Sequence, residues 1–104
     1  MTTYNTFDLI PNNGRKSFYG KAKVTVIGNR AILKSYDTIV CEINTKSGAF
    51  KRYWNGWSAT TARHIDAFCT TFGKSRGLCK GEWLALPVKQ FNFGKFYAPV
   101  MANN

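Results

Sequence analysis

From Lys21 onward the chain alternates strictly: Ala22, Val24 and Val26 fall on one side of an extended segment, and Lys21, Lys23 and Thr25 on the other. That period of two predicts a half-buried strand with a basic outer face. Gly28-Asn29 follows, two residues that tolerate positive φ and suit a tight hairpin turn. Leu33 and its neighbours then return as the partner strand, within 21–36. DTIVCEI (37–43) alternates again and predicts Ile39, Cys41 and Ile43 on one face. NTKSG (44–48) supplies the next turn, and AFKRYW (49–54) pairs back. Upstream, TYNTFDLI (3–10) alternates in part and stops at the turn cluster Pro11-Asn12-Asn13-Gly14. The first half reads as an antiparallel meander of about four or five strands.

The period changes at Ser58. Ala62, Ile65, Phe68 or Cys69, and Phe72 share one stripe of an α-helix over 58–72. Ser58 is the expected N-cap, its hydroxyl accepting from the backbone N–H of Thr60 or Thr61. Trp57 would pack over Ala62 as a hydrophobic staple. Gly73 is the expected C′ residue, with Lys74 near the negative end of the helix dipole. Beyond the loop GKSRGLCKG (73–81), EWLALPVK (82–89) reads as a short apolar edge strand interrupted at Pro87. FNFGKFYAPV (91–100) alternates aromatics around Gly94, and MANN (101–104) is expected to be a flexible tail. The fold class is α+β: one domain over 1–104, a small antiparallel sheet of about four to six strands with one main helix on a face.

Catalytic and metal chemistry find little support in the pattern. FGKS (72–75) ends like a P-loop, G-x-x-x-x-G-K-[ST], but Phe68 stands where the first glycine belongs, and the stretch follows its helix instead of preceding it. Ser58 and His64 supply a nucleophile and a base by type. A triad also needs a group orienting the imidazole, and Asp66, two residues on, falls on another helix face. His64, the single histidine, is expected to be a semi-buried packing residue. Cys41, Cys69 and Cys79 are odd in number and lack a C-x-x-C pair, which argues against a disulfide framework and a zinc site and for buried thiols. No enzyme activity, no metal and no cofactor are expected.

Charge changes the picture more. The 104 residues carry 15 Lys and Arg against 5 Asp and Glu, a net +10, with 15% aromatics. Solubility of a small domain needs a net charge of only about 2–8. The excess points to a polyanionic partner, for basic side chains on phosphates release counterions and supply most non-specific nucleic-acid affinity. Nothing resembles a signal peptide or a membrane span, so a cytoplasmic location, without membrane or small-molecule substrate, is expected.

Basic and aromatic residues interleave at RKSFYGK (15–21), AFKRYW (49–54) and KQFNFGKFY (89–97). Such surfaces hold single strands, cations tracking the backbone while rings stack on bases. The candidate binding residues are Arg15, Lys16, Tyr19, Lys21, Lys23, Lys51, Arg52, Tyr53, Trp54, Arg63, Lys95 and Tyr97. Tyr19, Tyr53, Trp54 and Tyr97 are the aromatics expected to be exposed, and Phe50, Trp57, Phe68 and Phe72 the ones in the core. The helix start offers a secondary anion site built from Ser58, Thr60, Thr61 and Arg63, combining free N–H groups, hydroxyls and a guanidinium.

Two segments also carry a family resemblance. SYDT-x-V (35–40) followed by GWSATTARHI-x-x-F (56–68) resembles a group of small proteins encoded by bacteriophages and prophages. In that group a Ser-Tyr-x-Thr strand precedes an S-x-T-T-x-x-H-I-x-x-F helix start. The resemblance covers about a third of the chain and implies a phage setting, in an infected bacterial cell, and no catalytic residues. The function expected is a non-catalytic nucleic-acid-binding phage protein, with single strands or RNA favoured. The alternative is an effector that binds and inhibits a host protein, such as a defence nuclease or transcription factor.

Overall fold

Five strands form one antiparallel sheet whose spatial order is the chain order: β1 (Tyr4–Asp8), β2 (Ala22–Ile27), β3 (Arg30–Ser35), β4 (Thr38–Asn44) and β5 (Phe50–Arg52). Two helices follow, α1 (Ala59–Thr71) and α2 (Lys80–Ala85). The computed structural model describes residues 4–11, 18 and 20–91. The aromatic stretch beyond Phe91, the tail at 101–104 and most of the turn cluster that begins at Pro11 lie outside the described residues.

Register explains which side chains meet the helix. Phe7, Val24, Leu33, Cys41 and Arg52 face one another in a row across all five strands. Val26, Ala31, Ile43 and Phe50 form the next row on the same face. This face joins Ile65, Ala67 and Phe68 of α1 and Trp83 of α2 in the main core. Burying a Leu, Ile or Phe side chain contributes about 1.5–3 kcal/mol each, so this layer carries most of the fold's stability. The Gly28-Asn29 turn between β2 and β3 is the expected two-residue hairpin, with Gly28 at φ +57.

One strand departs from simple alternation. The pairing of β3 with β4 shifts between Leu33, opposite Cys41, and Lys34, opposite Ile39. Val40 is the extra residue of this bulge and enters the main core. Ile39 consequently turns to the other face, where it packs with Ile27, Ile32 and Phe91. This corrects the expectation that Ile39, Cys41 and Ile43 share a face.

Helix α1 starts and stops as its sequence demands. Ser58 Oγ accepts from Thr61 N at 3.1 Å, and the helix closes in a Schellman pattern. There Lys74 N reaches Cys69 O, Gly73 N reaches Thr70 O, and Gly73 stands at φ +91. Trp57, expected over Ala62, has its ring 6.3 Å from that of Trp83 and ties the helix entry to α2.

The expected strand at 82–89 is instead α2 and an extended exit. Glu82 Oε1 accepts from Cys79 N at 2.9 Å and caps the helix start. Burial of Trp83 decides the rest: it is fully enclosed and donates from Nε1 to Gly56 O at 2.7 Å. Pro87 lies just past the helix, as a stop residue does. Only Val88 keeps strand character, in a single parallel bridge to Arg52.

Candidate functional site

The two segments singled out in the sequence meet in space. Tyr36-Asp37 makes the hairpin turn from β3 to β4, and Tyr36 holds φ +55. A bulky residue in the left-handed region is strained, and such strain concentrates at functional positions. Tyr36 N donates to Lys21 O at 2.7 Å, fixing the turn against the start of β2. Across from it, Trp57 and Ser58 lead into α1. Between them lies a cleft of about 250 Å3, with Tyr36, Trp54 and Trp57 among its walls and buried Ser35, Val40 and Thr61 at its floor.

Hydroxyls and an imidazole are chained beneath this cleft. Ser35 Oγ lies 3.1 Å from Thr61 Oγ1 and 2.7 Å from His64 Nδ1. Phe18 packs edge-on to the His64 ring at 4.6 Å, and Tyr36 lies tilted at 5.9 Å. His64, expected to be semi-buried, is fully enclosed and hydrogen-bonded. Burial first, and the neighbouring Arg63 charge second, hold its pKa below the ordinary histidine value. An imidazole in contact with a serine supplies two of the three groups of a hydrolytic triad. Its ring neighbours are Phe18 and Tyr36, and no carboxylate is hydrogen-bonded to it among the described residues.

The predicted binding residues separate into three groups. Lys21 stands at the cleft edge with its Nζ 5.8 Å from the Tyr36 ring centre, and Trp54, Ser58 and Thr61 line the cleft. Lys23 and Lys51 are exposed on the sheet face away from α1, Lys23 in an ion pair with Asp8 at 2.7 Å. Arg63 is exposed on α1, and Thr60 is half-buried in its first turn. Arg15, Lys16, Tyr19, Lys95 and Tyr97 lie outside the described residues.

Several candidates are corrected. Arg52 is not a phosphate contact. Only 5% exposed, it donates to Trp54 O at 2.9 Å and Leu86 O at 2.8 Å and lies over the Trp83 ring at 5.2 Å. It faces the core because its register aligns it with Cys41 and Leu33. Tyr53 and Trp54, expected outside, are half-buried. Tyr53 OH donates to Glu42 Oε1 at 2.6 Å. Burial and that carboxylate push the Tyr53 phenol well above its usual pKa. The helix-start anion site is also weakened, since Thr61 turns inward to Ser35 and the Ser58 hydroxyl caps Thr61 N. Of the three thiols, Cys41 and Cys69 are buried as expected, whereas Cys79 is exposed ahead of α2. Burial pushes the Cys69 thiol up to about 11. Among the described residues, no cluster of three His, Cys, Asp or Glu is placed to hold a metal, and no helix is long and apolar enough to cross a membrane.

Carboxylates follow a simple rule. Glu42 accepts from Arg30 Nε and Nη2, both at 2.8 Å, and from Tyr53. Burial alone would raise its pKa, but those hydrogen bonds outweigh burial and hold it below the usual glutamate value. Asp66 Oδ1 accepts from Gly77 N at 2.7 Å. Glu82 is bidentate to Arg76, which with the Cys79 N–H holds it down to about 2. With Asp8 on Lys23, four acids have partners within the fold. Exposed Lys21, Lys46, Lys51, Arg63, Lys80 and Lys89 remain to set the outward potential.

A five-stranded antiparallel meander with a capped helix over one face and a polar-floored cleft at its end defines the architecture as α+β. The chain belongs to a family of unknown function, DUF8033, whose model matches residues 8–85. That span runs from the end of β1 to the end of α2 and contains both segments that meet at the cleft. No curated protein and no solved structure matches the chain.

Proposed function

We propose that this is a small phage-encoded protein that binds nucleic acid, with single strands or RNA favoured, through basic and aromatic surface residues and without catalysis. The observation that carries the reading is how the charges are arranged. Four of the five carboxylates have partners, Glu42 and Asp66 in buried or half-buried contacts and Asp8 and Glu82 in exposed ion pairs, so the cations in excess of these pairs dominate the surface of a net +10 chain. A surface of that kind raises the local concentration of polyanions and speeds their encounter. The phage setting is supported by the two motif segments, SYDT and GWSATTARHI. Titration of labelled single-stranded DNA, duplex DNA and RNA at several salt concentrations tests the reading. Affinity that falls linearly in log–log form with salt supports it. Absence of binding at low salt overturns it and favours an inhibitor of a host protein.

A further inference from the structure

Resting on that reading, we infer that the cleft between Tyr36 and Trp57 accepts one unpaired base of a bound strand, stacked on an aromatic wall and touched at its edge by the Thr61 hydroxyl. The size fits: about 250 Å3 is below the roughly 300–1,000 Å3 of drug-sized sites and holds one planar ring. The walls fit too, because an aromatic face stacks on any base. Tyr36 is 51% exposed, so its ring is presented to solvent, and the left-handed turn that presents it is maintained against strain. Lys21 beside the Tyr36 ring and exposed Arg63 in α1 supply cations for the flanking phosphates. A neutral sugar would use the walls but not the cations.

The floor adds a property that plain stacking lacks. The chain Thr61–Ser35–His64 has two consistent directions. With His64 Nδ1 accepting, protons point from Thr61 to Ser35 to the ring, and Thr61 Oγ1 keeps lone pairs for the cleft. With Nδ1 donating, the order reverses and the Thr61 O–H is released toward the cleft. Exchange of the imidazole proton between its two nitrogens therefore lets one hydroxyl serve base edges that donate or accept. The cleft should tolerate several bases, with preference set by stacking strength.

The test uses the full chain and single strands of about 12 nucleotides, one with bases and one abasic throughout, at low salt. The inference predicts that the base-bearing strand binds roughly 5- to 100-fold tighter than the abasic one. Tyr36→Gly, which removes the ring and suits the left-handed backbone, should erase most of that ratio by weakening the base-bearing strand. Tyr36→Phe should keep the ratio. Thermal melting of each variant confirms folding. Equal binding of both strands, or a ratio untouched by Tyr36→Gly, overturns the base cleft and leaves nucleic-acid binding standing. Binding of neither strand at low salt overturns both.

Discussion

Ser35 Oγ and His64 Nδ1 lie 2.7 Å apart although 29 residues separate them, joining the end of β3 to the buried face of α1. Ser35 sits against the bonded Thr61 as well, so one hydroxyl ties the sheet to the helix at two points. Ser35→Ala removes both bonds and leaves buried polar atoms on His64 and Thr61. The expected loss is about 1–3 kcal/mol of folding stability, read by urea denaturation. A loss under a few tenths would mean that the network is decorative.

Stability should also depend on pH through His64. Its pKa is depressed in the folded protein, by burial and then by Arg63, while the unfolded value stays near 6.5. The unfolded chain therefore takes up the proton first. The contribution is fully present above about pH 6.5 and is lost as pH falls through that value toward the folded pKa. Urea midpoints between about pH 7.5 and 5.5 should fall for the native chain and stay flatter for His64→Gln. Equal slopes would place the sensitivity elsewhere.

Glu42 is the hub of the other polar cluster, taking two bonds from Arg30 and one from Tyr53. Glu42→Gln keeps the shape and removes the charge. We expect a loss of about 1–3 kcal/mol and a fall in the Tyr53 phenol pKa, since the carboxylate helps to hold it up. Alkaline absorbance titration against a Tyr53→Phe control checks the second effect. An unchanged Tyr53 transition would show burial alone to be responsible.

Two glycines make opposite predictions. A methyl group at Gly77 would meet the Asp66 backbone, 2.6 Å from its Cα, where the loop after α1 packs back on the helix. Gly77→Ala should cost about 1–3 kcal/mol through overpacking. Gly81, inside α2, faces open space, and Gly81→Ala should stabilise by roughly 0.4–1 kcal/mol. Thermal melting of the pair decides both, and a tolerated Gly77→Ala would contradict the close approach.

Local signals were the legible ones. Gly28-Asn29, the Ser58 cap and Gly73 each act within a few residues, and each does what its chemistry predicts. The α+β class followed from two periods and survived in the structure. What failed to show in sequence depends on distant partners. Ile39 changes face because a bulge opposite Leu33 inserts Val40. EWLA forms a helix because Trp83 finds a pocket beside Phe50, Trp57 and Arg52. Arg52 reads as a surface cation in any charge count, yet its register points it inward. The cleft is the strongest instance. Ser58 and His64, six residues apart, suggested a site by proximity, whereas the bond that forms runs from His64 to Ser35 on another element.

The most direct measurement of the central claim is the affinity of the full chain for a fluorescent single-stranded oligonucleotide across salt concentrations. Exposed lysines and arginines acting on phosphates predict a straight line of log affinity against log salt, with a steep negative slope of about 0.7 for each phosphate engaged. Replacing Lys21 and Arg63 by glutamine should make that slope shallower by about one unit or more. No measurable binding at low salt, or an affinity indifferent to salt, would contradict nucleic-acid binding as the function of this surface.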